Sequence, residues 1–163
     1  MSGTGGCAVS AAPGLRPGTL AGHCSGATGL DVLAPREALG LHPLMTVTPA
    51  GARFAGAACA IAGTTPRALG LAEELATALG MAPFAVADED RAAYHAAASI
   101  ASNLLVTLED AAERLAAMAG VPREALAPLV RATVENWAAE GGERALTGPV
   151  ARGDEVTVAR QLE

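Results

Sequence analysis

From Asp88-Glu89-Asp90 to Gly120 the chain runs for roughly thirty residues with no glycine or proline inside it. Three acids at the start favour the positive end of a helix dipole, and the glycine marks a stop, so the stretch predicts one long helix. It is unusually rich in alanine, the best helix former, whose small side chain lets neighbouring helices approach closely. Such a segment commits the chain to a mostly helical fold with this helix as its spine. With 51% hydrophobic but only 2% aromatic residues, the core must be built from Ala, Leu and Val. That hydrophobic share also excludes disorder over most of the length. The 163 residues suffice for one modest core, or for a small domain with a loose tail.

Other elements follow from punctuation and period. Thr65-Pro66 reads as an N-cap followed by proline at the first helical position, with Gly80 as the C-cap. Leu69, Ala72, Leu75, Ala76 and Leu79 form the apolar stripe of that helix. Pro122 opens a short helix, and Pro128 is expected to start a new one that runs to Gly141-Gly142. Ala145 to Asp154 reads as a loop, followed by a last short helix to Leu162. Strands are expected at Thr19–Cys24, at Leu41–Val47 with Pro43 at an edge or strand end, and at Ala57–Ala62. A short helix is expected between the first two, over Leu30–Leu39. A few strands followed by almost continuous helix fit a helical domain behind the last strands of an α/β sheet.

Charge and composition exclude several functions. A net charge of -6 cannot neutralise a run of phosphates, so neither nucleic acid nor an anionic membrane surface is an expected partner. No segment has the roughly 18 uncharged apolar residues of a membrane span, and the N-terminus lacks the basic and apolar regions of a signal peptide. A cytoplasmic protein is expected. Cys7, Cys24 and Cys59 are an odd set without C-x-x-C spacing, so no disulfide framework and no metal site is expected. All eleven basic residues are arginine, and the chain contains no lysine.

The residues with chemistry to offer are few. Gly3-Thr4-Gly5-Gly6-Cys7-Ala8 matches G-x-G-x-x-A, but a dinucleotide fingerprint needs a strand before it and a helix after it. Only Met1 and Ser2 precede it, and Pro13-Gly14 breaks any helix behind it. In the long helix, His95, Ser99 and Asn103 are spaced four apart and Ser102 lies seven after His95, which sets a polar stripe on an otherwise apolar helix. Its partner is either a ligand or the neighbouring helices of a satisfied core. His23-Cys24-Ser25-Gly26 falls at a predicted strand end, where open α/β sheets place ligands, and Leu41-His42-Pro43 follows the next connection. Arg152, in the unusual segment Thr147–Asp154, either clamps an anionic group or closes a turn with Asp154.

The segments HCSGATGLDVLAP, LHPL, DRAAYHAAASIASN and ALTGPVARGD, from about Pro17 to the end, resemble a bacterial family of Rossmann-like predicted oxidoreductases with a C-terminal domain of unknown function. That family is related to 6-phosphogluconate dehydrogenase, pyrroline-5-carboxylate reductase and ketopantoate reductase. The resemblance implies a helical, 6-phosphogluconate-dehydrogenase-like C-terminal domain that dimerises. It also implies that Thr19 to Ala62 are the last strands of a truncated Rossmann-like sheet. The chain then divides into an irregular lead-in (1–18), a Rossmann-like remnant (19–86) and a helical substrate-site and dimerisation domain (87–163). Many dehydrogenases of this wider group carry Lys-x-x-x-Asn on the long helix, the lysine moving a proton and the asparagine holding the substrate. Here the spacing reads Ser99-x-x-x-Asn103, and no lysine can come from elsewhere in the chain. A serine hydroxyl is a poor acid near neutral pH, so the proton would fall to His95 or His42.

The expectation is the substrate-binding and dimerisation half of an NAD(P)-dependent reductase-like protein acting on a small polar metabolite such as a 2-keto acid. His95, Ser99 and Asn103 would carry the catalysis, with Ser25, Gly26, His42, Ser102 and Arg152 binding the substrate. NAD or NADP would serve full-length relatives, and this chain alone would bind neither and be inactive. The alternative is a non-enzymatic helical dimerisation module or a gene fragment.

Overall fold

The computed structural model describes residue 16 and residues 18–162. The glycine cluster Gly3–Ala8, with Cys7, and the Pro13-Gly14 breaker lie outside the described residues. The described residues are 55% helical with a small four-stranded mixed sheet, the mostly α architecture behind partial Rossmann-like strands that the resemblance implies. They fall into two compact units, one extending to Leu105 and one beginning at Val106.

The first unit holds the sheet, in the order β1 (Ala21–His23), β2 (Ala38–Leu44), β3 (Ala58–Gly63), β4 (Ala82–Ala85). β1 runs parallel to β2, β2 antiparallel to β3, and β3 parallel to β4. The three predicted strands are present with shifted ends. Pro43 lies in the part of β2 beyond the residues that β1 pairs, so its missing N–H costs that pairing nothing. The fourth strand, Ala82-Pro83-Phe84-Ala85, is too short and too alanine-rich to signal itself in sequence.

Helix α1 (Pro66–Ala78) joins β3 to β4, and Thr65 caps it by accepting from the Ala68 N–H at 3.1 Å. Its buried face is Ala68, Ala72 and Ala76, with Leu69 packed against the core, so of the predicted stripe Ala72, Ala76 and Leu69 face inward, whereas Leu75 and Leu79 are exposed. Close approach is the reason. A Cβ on Gly63 would lie 2.2 Å from the Leu69 backbone nitrogen, so the helix rests almost directly on the strand end and only methyl groups fit beneath it. On this side of the sheet Leu41, Cys59, Ile61, Ala72, Ala76 and Met81 form one core. On the other side Leu30, Leu33 and Ala38 form a second.

The predicted helix Leu30–Leu39 is not formed. A 3-10 turn spans Leu30–Leu33 and the chain is already in β2 by Ala38. Pro35 has no N–H for a continuing helix, and Ala34 before it is pushed out of helical backbone (ψ 146°). The long run beginning at Asp88 is helical throughout but not uniform. A 3-10 turn at Asp88–Asp90 leads into α2 (Arg91–Ser99), a π-turn spans Ile100–Leu104, and α3 follows over Leu105–Met118. Gly120, at φ 73°, takes the left-handed position that ends it.

In the second unit, α4 (Arg123–Glu140) passes straight through Pro128, contrary to the expected restart. The proline sits in the second turn, where it removes only one hydrogen bond, to the Glu124 carbonyl. A single-turn helix, α5 (Gly142–Ala145), ends where the predicted tail loop begins, and the loop itself contains a second, α6 (Gly148–Ala151), before α7 (Glu155–Gln161). Asp154 caps α7, accepting from the Thr157 N–H at 3.1 Å and from its hydroxyl at 2.6 Å. No described helix is long and apolar enough to cross a membrane.

Candidate functional site

Residues opposite one another in a sheet share a face, and the register sets His42 against Ala60 and Ala60 against Phe84. These three form a row across β2, β3 and β4, with Gly40 two residues before His42 on the same face. Helix α2 covers that face. Arg91, Tyr94 and His95, at i, i+3 and i+4, point the same way from the helix. Tyr94 places its ring edge-on to His42 (centroids 5.6 Å) and to Phe84 (5.9 Å), and its hydroxyl meets His42 Nδ1 at 2.7 Å. The His95 ring lies beside His42, with centroids 6.2 Å apart and planes tilted by 54°.

The loop after β1 completes the cluster. A Cβ added at Gly26 would stand 2.7 Å from His42 Cε1, 2.9 Å from His42 Nε2 and 2.9 Å from His95 Cδ2. Only glycine brings the backbone this close to both imidazoles. The loop is held by its own polar groups. Ser25 Oγ donates to Thr28 Oγ1 at 2.7 Å and accepts from the Thr28 N–H at 3.1 Å. His23 takes the Ser25 N–H on Nδ1 at 3.3 Å and donates from Nε2 to the Gly29 carbonyl at 3.1 Å. Both its ring nitrogens are engaged, so His23 shapes the turn.

Electrostatics favour an uncharged His42. Burial lowers its pKa below the ordinary 6.5, and the charges of His95 and Arg91 lower it further. Arg91 is 4% exposed, pairs with Asp88 (Nε–Oδ1 2.6 Å), and lies over Gly40, where an added Cβ would be 3.6 Å from Nη2. Burial raises the Tyr94 pKa, which keeps its hydroxyl protonated. The site is therefore a neutral imidazole, a phenol bonded to it, a second imidazole alongside and a fixed buried cation nearby.

Of the residues singled out in sequence, the structure brings together Gly26, His42 and His95. Ser25 lies in the same loop, with its hydroxyl engaged by Thr28. Ser99 ends α2 one turn beyond His95 and is half-buried. Ser102 and Asn103 lie in the π-turn, Ser102 half-buried and Asn103 exposed. Arg152 is exposed at the end of α6 in the second unit, and Asp154 spends its carboxylate on Thr157. Tyr94 and Arg91 were missed. Tyr94 is the only tyrosine in the chain and sits beside His95, a signal that could have found it. Among the described residues no group of His, Cys, Asp and Glu could hold a metal ion.

A nicotinamide cofactor needs a helix N-terminus open to pyrophosphate at the end of a strand. By position the turn from β3 into α1 is such a site, and it is taken. Thr65 caps the helix and donates its hydroxyl to Glu37, whose carboxylate also pairs with Arg67 at 2.7 Å. A second anion there would meet negative charge, so these residues do not fit the cofactor's pyrophosphate.

No curated protein sequence matches the chain. Solved structures share its fold, two of them as follows. One is a proposed NADP oxidoreductase from Bacteroides fragilis, 20% identical, with a TM-score of 0.79 over 88% of this chain and 56% of that one. The other is a protein from Thermotoga maritima, 27% identical, with a TM-score of 0.75 over 86% of this chain and 58% of that one. The chain thus spans little more than half the length of either. The family profile of DUF2520, a domain of unknown function, matches residues 57–163. That is well over half of the sequence, and the chain belongs to the DUF2520 family.

Proposed function

We propose that this chain is the substrate-binding part of an NAD(P)-dependent reductase-like protein, acting on a small polar metabolite of the 2-keto acid type. The observation that carries the reading is the meeting of His42 and His95 across a glycine that no other residue could replace without displacing an imidazole. Two imidazoles and a buried guanidinium suit an oxygen-rich, anionic substrate. His95 is the proton carrier, since it is partly open to solvent and the chain has no lysine to do the work. Ser99 and Ser102 extend the polar side of the helix beyond His95, and Asn103 orients a substrate oxygen. NAD or NADP belongs in this reading to full-length relatives, held by residues other than those described here. The fold shared with the Bacteroides fragilis protein supports it.

The test is direct. Titrating the chain with pyruvate and other small oxo- and hydroxycarboxylates at millimolar concentration should shift the imidazole NMR signals of His42 and His95 together. If none of them moves either signal, the substrate site is not here. In a full-length relative, Asn103→Ala and His95→Gln at the matching positions should cut turnover and leave cofactor binding intact.

A second reading is a dimerisation module without catalysis. It is favoured by the second unit, whose described helices bury no residue and expose Met118, Leu129, Trp137 and Val156. A homodimer is part of both readings, because such apolar surface is costly in water. Sedimentation at micromolar concentration separates a dimer from a monomer, and the titration above separates the two readings.

A further inference from the structure

We infer that Tyr94 is a positioning residue that fixes His42 as a hydrogen-bond donor, with its proton on Nε2, on the ring edge that approaches Gly26. The inference deepens the proposed function and rests on that reading only for its consequence, that the group received there is an acceptor oxygen. The bond itself is independent of any substrate.

The Tyr94 hydroxyl and His42 Nδ1 are 2.7 Å apart, so one donates and the other accepts. A phenol held protonated by burial can donate, and a neutral imidazole can accept on one nitrogen only while it carries its proton on the other. Packing sets the geometry of the pair. The Tyr94 ring packs edge-on against both Phe84 and His42, at 69° and 90°, with its hydroxyl at the Nδ1 edge of the imidazole. On the far edge, Nε2 and Cε1 approach Gly26 so closely that a methyl group would collide with them. The charged groups that face this imidazole are His95 and Arg91, both on α2, and both disfavour a second proton on it. His42 then offers a fixed N–H, and the proton-carrier role of the proposed function stays with His95 beside it. The division gives each histidine one task, which neither sequence spacing nor ring distance alone assigns.

Tautomers are read from long-range proton–nitrogen NMR correlations of the three imidazoles in the 15N-labelled full chain, with His42 identified by cross-relaxation to the Tyr94 ring. His42 should carry its proton on Nε2. In Tyr94→Phe, loss of a donor to Nδ1 removes a bond that only neutral His42 can accept, so its pKa should rise by roughly half a unit to one unit. A proton on Nδ1 in the unsubstituted protein, or a His42 pKa that stays or falls in Tyr94→Phe, would overturn the assignment. Should Tyr94→Phe not fold, the tautomer of the unsubstituted protein decides alone. Failure of carboxylates to bind would sink the substrate reading and leave this result standing, so the two failures are distinguishable.

Discussion

The two units of this chain are built from similar residues to opposite effect. Up to Leu105, alanines and a few leucines close two small cores around a sheet, and even an arginine is buried. From Val106 onward, helices of comparable composition bury nothing among the described residues, with Trp137 57% and Met118 85% exposed. Hydrophobic content therefore does not by itself make a core. Methyl groups are effective where a strand end and a helix approach as closely as β3 and α1, and they leave gaps where no such surface is present.

The largest test of that contrast is Gly63→Ala. The new methyl would meet backbone atoms, which cannot step aside as a side chain can, so the cost should reach or exceed about 3 kcal/mol in urea denaturation. A cost below about 1 kcal/mol would mean that α1 is not seated so tightly. Next, Ile61→Ala should cost about 2–3 kcal/mol, against less than about 0.5 kcal/mol for Leu129→Ala, 65% exposed, in dilute protein. If Leu129→Ala becomes costly as concentration rises, the second unit takes its core from a partner. If it is costly at every dilution, the contrast between the units fails.

Gly26→Ala should be milder, about 1 kcal/mol, because the obstacles are two ring edges that can rotate. Its informative effect is on the site, where the imidazole signals of His42 and His95 should both move. Smallest is the pH effect of His42. Above its ordinary pKa of 6.5 both folded and unfolded chains hold it neutral, and it contributes nothing. As pH falls through that value the unfolded chain takes up a proton that the folded site resists, so stability should decline and then level off once the folded site is protonated. His42→Gln should flatten this part of the profile between about pH 7 and pH 5, read as urea midpoints. An unchanged profile would mean that another group sets it.

What could be read from sequence was whatever is decided locally. Thr65-Pro66 announces its helix because cap and ring geometry act within one turn, and Ala58–Gly63 announces a strand because both its faces are covered. The helix expected at Leu30 failed because its leucine spacing also suits a single 3-10 turn, which Pro35 then ends. Gly26, His42 and His95 could be picked out, since a strand end and a helix face are predictable from pattern. Tyr94 stands out as the only tyrosine, next to His95, but its role does not, because that depends on a partner 52 residues away and on the register of three strands. Arg91 escaped for a related reason. An arginine at a helix start reads as solvated, and only the packed fold shows it enclosed.

Ala60 is 3% exposed and takes no part in any hydrogen bond of the site through its side chain. Yet it is the low point of the row between His42 and Phe84, and Tyr94 reaches both neighbours across it. Any bulkier residue at 60 would lift the phenol away from the imidazole. The two positions thus share one packing constraint. Within the family, a large residue at 60 should travel with the loss of tyrosine at 94, and the pair should covary more tightly than either does with its neighbours in sequence. The behaviour of the imidazole would then be inherited through a methyl group that never touches a substrate.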